Sequence, residues 1–130
     1  MRTIDITTKN RSELIDITSE LKQSVKAEKI NNGICVVFCP HTTGALTINE
    51  NADPSVKSDI LNHLEKLVPV IGPYEHQEGN SDSHVKSALT GISLILIVNK
   101  GELVLGTWQS VYFCEFDGPR RRKIYTQTIG

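Results

Sequence analysis

Excess positive charge is the first thing this sequence lacks. Fourteen Lys and Arg stand against fifteen Asp and Glu, a formal net charge of −1. Holding nucleic acid by bulk phosphate neutralisation needs a basic face, so no nucleic-acid partner is expected. The short run Arg120-Arg121-Arg122-Lys123 is the local exception, and it lacks the interleaved aromatics of a single-strand binder. Long apolar runs are missing too. Nothing approaches membrane-spanning length, and Met1-Arg2-Thr3-Ile4-Asp5 holds no signal core, so no membrane is expected. Cysteine is scarce and odd in number, three in all, which does not suit a disulfide framework. Cys35 and Cys39 on one strand face would lie about 13 Å apart, too far to bridge. Three buried thiols in a reducing cytoplasm are the expectation. Internal repeats, low-complexity stretches and linkers are absent as well.

What is present suits one domain spanning 1–130. The length suffices for a core without staples, and 38% hydrophobic with 22% charged residues is ordinary for a globular protein. Alternation at Ile4 and Ile6, and again at Ile15 and Ile17, predicts two strands, joined hairpin-fashion through Asn10-Arg11-Ser12. Thr18 or Ser19 can cap a helix to about Lys29, with Leu21 and Val25 on its inner face. Ile34 to Cys39 reads as a strand buried on both faces, ended by Pro40. Leu46 and Ile48 lie on a further strand. Asp53-Pro54 starts a helix, cap residue then N1 proline, whose apolar positions run from Val56 to Val68. After an aperiodic stretch from Val70, a short helix is expected from Ser83 or His84 to Thr90, stopped by Gly91. Leu94–Val98 should be a central strand turning at Asn99-Lys100-Gly101 into Leu103–Leu105. Trp108–Phe116 and Arg122–Ile129 read as a final pair around Asp117-Gly118-Pro119. Two or three helices among some seven strands indicate an α+β domain.

Four polar clusters carry the chemistry. His41-Thr42-Thr43-Gly44 follows a strand end, where imidazole and hydroxyls can bind phosphate or ligate metal, or merely satisfy a turn. In Asn49-Glu50-Asn51-Ala52-Asp53, capping explains Asp53, while Glu50 is free to act as a ligand or general base. His76-Gln77-Glu78-Gly79-Asn80-Ser81-Asp82-Ser83-His84 has more polar groups than a cap needs, and its backbone N–H groups could hold an anion at the helix start. Gly106-Thr107-Trp108-Gln109 and Glu115-Phe116-Asp117-Gly118-Pro119-Arg120 form the fourth. Glu115 shares a strand face with Val111 and Phe113, so it needs a partner, either Arg120 or another subunit. Arg120 could instead clamp a phosphate. Arg121–Lys123 is expected on a solvated face, Trp108 in the core, and His63 on the surface.

Taken together, these motifs, with Ala45-Leu46-Thr47-Ile48 completing the first, resemble the YjbQ-like family, often called secondary thiamine-phosphate synthases. The resemblance covers essentially the whole chain, with Gly44 and Ser83 standing where alanine is common. It implies a two-sheet, β-sandwich-like α+β domain assembled as a homotrimer. The implied activity joins a pyrimidine pyrophosphate to a thiazole phosphate, releasing pyrophosphate. It makes His41, His76 and His84 candidate ligands of a divalent metal, zinc or magnesium, with Glu50, Glu78 and Asp82 as acidic neighbours. Thr42, Thr43, Asn51, Asn80, Ser81 and Arg120 become candidates for binding a small phosphorylated molecule, with Arg120 also neutralising leaving-group charge. The alternatives are a metal-dependent phosphate-ester hydrolase using Glu50 or Glu78 as base, and a non-catalytic trimeric protein that holds metal or an anion.

Overall fold

The computed structural model describes residues 1–130 as eight strands and three helices. Strands β1 (Arg2–Thr7), β3 (Gly33–Phe38), β5 (Ser93–Asn99), β6 (Glu102–Leu103) and β8 (Arg121–Ile129) form one antiparallel sheet in the order β1-β8-β3-β5-β6. Strands β2 (Glu13–Asp16), β4 (Gly44–Glu50) and β7 (Gln109–Glu115) form a second, in the order β2-β7-β4. Helices α1 (Thr18–Glu28), α2 (Pro54–Leu67) and α3 (Ser81–Thr90) complete an α+β domain.

The main core lies between the sheets. Ile4, Ile6, Cys35, Val37, Leu96, Val98 and Ile124 of the larger sheet meet Leu46, Val111 and Phe113 of the smaller. Leu21 and Val25 of α1 join them, as the helical spacing predicts. A second apolar layer lies behind the smaller sheet, where Ile60, Leu61 and Leu64 of α2 pack on Leu14, Ala45, Tyr112, Cys114 and Phe116. Covered on both faces, β7 is the doubly buried strand. The expectation for β3 was wrong in this respect: Cys35 and Val37 point into the core, but the other face carries Phe38, which is exposed. No helix of this chain covers that side. Cys35, Cys39 and Cys114 are all free and buried, and burial pushes each thiol up.

Two expected hairpins are instead crossings between sheets. β1 pairs with β8 and β2 with β7, so the Asn10-Arg11-Ser12 segment carries the chain from one layer to the other. Likewise β7 and β8 sit in different sheets, joined through Asp117–Arg120. Alternation tells which face of a strand is buried, not which neighbour it pairs with. The two crossings are tied together by Thr8 N donating to Arg120 O at 2.9 Å and Gly118 N donating to Arg11 O at 3.0 Å. A Cβ on Gly118 would lie 2.2 Å from Asn10 O, so only glycine allows this approach.

Local signals fared better at helix ends. Asp53 Oδ1 accepts from Ser55 N at 2.9 Å ahead of Pro54, as the cap reading requires. Thr18 is not the cap of α1: its backbone N donates to Asp16 Oδ1 at 2.9 Å, and its hydroxyl accepts from Val111 N at 2.8 Å. Helix α3 begins at Ser81, two residues before the expected start, because Asn80 O already accepts from Ser83 N at 3.0 Å. Trp108, expected in the core, is 61% exposed in the turn before β7.

Candidate functional site

The crossing corner opens a polar cleft of about 350 Å³. Pro40, His41, Thr42 and Thr43 line one side, on the loop between β3 and β4. Glu78, Asn80 and His84 come from the start of α3, and Asp117, Arg120 and Arg122 from the crossing and the head of β8. Three motifs separated by dozens of residues therefore meet at one place. No lining residue is hydrophobic, so recognition here rests on hydrogen bonds and charge.

Beneath the cleft lies a buried ion pair. Glu115 and Arg122 are 0% and 3% exposed and contact each other through both guanidinium Nε and Nη2. Arg122 Nη2 also donates to Thr43 Oγ1 at 2.9 Å and Thr43 O at 3.2 Å. Glu115 accepts from Thr8 Oγ1 at 2.8 Å and from Asp117 N at 3.1 Å, while Thr8 Oγ1 accepts from Arg120 N at 2.9 Å. One carboxylate thus anchors the Thr43 loop on one side and the Asp117–Arg120 turn on the other. Burial drives the Glu115 carboxyl up, but the donors from Arg122, Thr8 and Asp117 outweigh it and hold it below the usual carboxylate value. This corrects two expectations. Glu115 pairs with Arg122 of its own chain and not with Arg120, and Arg122 is not on a solvated face. Period two in β8 turns Arg122 inward between exposed Arg121 and Lys123.

Arg120 turns outward. Its Nη2 donates to Asp117 Oδ2 at 3.0 Å, and Asn80 Nδ2 donates to the same oxygen at 2.9 Å. The Asn80 amide is thereby oriented, since a flip would set its oxygen against the carboxylate, and Oδ1 is left buried with no partner. Asn80 sits at the N-terminus of α3 without capping it, leaving that end's N–H groups free of a side-chain partner.

His41 is held from its edge. Its Nε2 sits against the Lys123 backbone, 2.9 Å from the amide N and 3.1 Å from the carbonyl O, and can accept from the one or donate to the other according to tautomer. Burial, then the positive charge of Arg122, pushes the imidazole below its ordinary value and keeps it neutral near pH 7. His76 and His84 form an edge-to-face pair with centroids 5.3 Å apart, His84 lining the same cleft as His41, and His76 Nε2 is 3.7 Å from Glu78 Oε2. No three His, Cys, Asp or Glu side chains are grouped so as to hold a metal ion. With His41 Nε2 engaged by the Lys123 backbone, the three histidines do not fit a single metal as they stand.

Other expected site residues lie elsewhere. Asp82 is fully buried under α3, bound by Arg11 through Nη1 at 3.1 Å and Nη2 at 2.9 Å and by Lys86 Nζ at 2.7 Å. Burial raises its carboxyl, but the bonds from Arg11 and Lys86 prevail and hold it low. It is a structural anchor and not a lining carboxylate; Ser81 is also outside the lining. Lys86, 1% exposed, also reaches Glu65 Oε2 at 2.7 Å and ties α2 to α3. Glu50 and Asn51 are at the far end of β4, roughly 20 Å along the strand from Thr43. There the Glu50 carbonyl accepts from Tyr112 Oη at 2.9 Å and Asn51 Nδ2 donates to Gln109 O at 3.2 Å. Of the residues that sequence reasoning missed, Arg122 was signalled by the lone charge of Glu115, and Lys86 by its four-residue spacing from Asp82. Thr8 and Arg11 had no local signal, and Asp117 stood in the fourth cluster without an assigned role.

The family model described as UPF0047 protein YjbQ-like matches residues 2–130. UPF0047 protein MJ1081 of Methanocaldococcus jannaschii is 51% identical over 125 residues, 96% of this chain and 91% of that protein. UPF0047 protein YugU of Bacillus subtilis is 46% identical over 131 residues, 100% of this chain and 99% of its own. A crystal structure from Clostridium acetobutylicum, described as an uncharacterized conserved protein of the YjbQ/UPF0047 family, superposes with a TM-score of 0.98 at 49% identity, covering 99% of this chain and 100% of that one. Conserved hypothetical protein TT1486 from Thermus thermophilus gives 0.92 at 38% identity, covering 99% and 100%.

Proposed function

Starting from a chain that belongs to the UPF0047 protein YjbQ-like family, we propose that it is a transferase that binds a small phosphorylated molecule in the corner cleft. The reaction is that of a secondary thiamine-phosphate synthase: a pyrimidine pyrophosphate and a thiazole phosphate give thiamine phosphate and pyrophosphate. The observation that carries this reading is the convergence of Thr42, Thr43, Asn80, His84 and Arg120 from three separate motifs on one hydrophilic cleft.

The chemistry asks little of a nucleophile-activating group. The thiazole nitrogen lone pair forms a bond to the exocyclic carbon of the pyrimidine. The carbon–oxygen bond breaks, and pyrophosphate leaves with its electron pair. No proton has to be removed from the attacking nitrogen. The protein's work is to orient the two molecules and stabilise the leaving group's charge. Arg120, the Thr42 and Thr43 hydroxyls and the α3 N-terminus are donors suited to phosphate oxygens. Glu78 and His84 can hold a water or a protonated phosphate oxygen at the rim. No step here is routed through a metal.

Assembly as a homotrimer belongs to the same proposal. Its support is the bare face of the larger sheet, where Ile95 and Ile97 are 69% and 60% exposed beside Phe38. A reducing compartment such as the cytoplasm suits three free thiols. No helix is long and apolar enough to cross a membrane.

The test is incubation of the protein with the two substrates, following thiamine phosphate and pyrophosphate together. Equimolar appearance of both, reduced at least tenfold by Arg120→Ala, is expected. Inorganic phosphate release without coupling would favour hydrolysis, and binding without turnover would favour a carrier.

A further inference from the structure

A second cavity, of about 580 Å³, lies on the other side of His41. Asp5, Ile6, Thr7, Arg121, Arg122 and Lys123 line it, and His41 and Arg122 also line the first cleft. The two therefore adjoin at His41 and Arg122 as lobes of one depression.

Their charges differ in kind. In the first lobe Arg120 is paired with Asp117 and Arg122 with Glu115, while Glu78 adds a further carboxylate. In the second, Arg121 and Lys123 are exposed and neither side chain is in an ion pair or hydrogen bond, although Asp5 and Thr7 stand opposite them in register. Period two along β8 puts both cations on one face while Arg122 between them points inward. The bare apolar region of that sheet face runs from Phe38, which pairs with Tyr125 two residues along β8 from Lys123, to Ile95 and Ile97 on β5, the next strand but one from β8, so the two cations stand at its edge. The free cationic charge of the depression thus lies beyond His41 and not at the Arg120 turn.

We propose that this basic lobe is a second anion subsite, which takes a phosphate or pyrophosphate group with Arg121 and Lys123 as its donors. This rests on the reading of the first lobe as a phosphate cleft and extends it: the depression receives two anionic groups at once, with His41 lining both lobes. A reaction that joins two phosphorylated molecules needs two such places. The more highly charged group belongs in the second lobe, where less of the cationic charge is already neutralised.

Calorimetric titration with inorganic pyrophosphate at fixed low ionic strength, paired with NMR of the His41 ring, tests this. The wild-type chain is expected to take up two equivalents, both of them shifting the His41 ring signals. In the double variant Arg121→Ser/Lys123→Ser, whose positions are exposed and unpaired, one event should weaken more than tenfold. The other should survive and remain sensitive to Arg120→Ser. A wild-type stoichiometry of one, or two events untouched by Arg121→Ser/Lys123→Ser, overturns the second subsite. Loss of binding in that double variant with no effect of Arg120→Ser would keep the basic lobe and remove the Arg120 cleft.

Discussion

The carboxylate of Glu115 and the guanidinium of Arg122 meet in the interior and between them hold both walls of the cleft. Removing one partner leaves the other buried and unpaired. Arg122→Ala is therefore expected to destabilise the fold by about 3–5 kcal/mol, read by urea denaturation, with Glu115→Ala similar. A double change to apolar residues of like volume should recover much of that loss. Equal stability of Arg122→Ala and the wild type would show that the pair anchors nothing.

The same pair has a signature in pH. Because Glu115 is held below its ordinary value when folded, the unfolded chain takes up its proton first as pH falls. Its contribution is complete above the ordinary carboxylate range and fades as pH drops through that range toward the lower folded value. Glu115→Gln should flatten this part of the stability–pH curve. An unchanged slope between the variant and the wild type would contradict the assignment.

His41 gives a prediction with a spectroscopic answer. Its Nε2 is held by the Lys123 backbone, and the ring's titration is read from its long-range ¹H–¹⁵N correlation spectra. Burial and Arg122 depress its titration, so the ring should remain neutral to lower pH than a free histidine. Stability from this group is present above the ordinary histidine range and is lost as pH falls through it. A titration above the ordinary value would refute this geometry.

Lys86 and Arg11 share Asp82 but differ in exposure, and their variants should rank accordingly. Lys86 is buried, whereas the Arg11 side chain is 36% exposed. Lys86→Ala should cost more stability than Arg11→Ala, about 3 kcal/mol or more against roughly 1. Thermal unfolding of the two variants decides it, and the reverse order would mean that Arg11 is the principal partner.

Much of this was legible in the chain, for identifiable reasons. Asp53-Pro54 announced α2 because a cap and an N1 proline are local chemistry. Of the polar His76–His84 segment, Glu78, Asn80 and His84 line the cleft, whereas Asp82 is an internal anchor. The hairpin expectation failed because alternation at Ile4 and Ile6 and at Ile15 and Ile17 speaks to burial but not to sheet membership. Arg122 was hidden inside a basic run, where only the alternation of β8 distinguishes it from Arg121 and Lys123. Glu50 follows the Thr42–Thr43 motif closely in sequence, yet an extended strand carries it to the opposite end of the sheet.

The central claim is that anions bind where Thr42, Asn80 and Arg120 converge, and a backbone NMR titration with inorganic phosphate addresses it directly. The expected result is saturable shifts at Thr42, Thr43, Asn80, Ser81 and Arg120, lost in Arg120→Ser. Shifts confined to the Glu50–Trp108 end of the sheet, or no saturable shift at the cleft, would contradict the account.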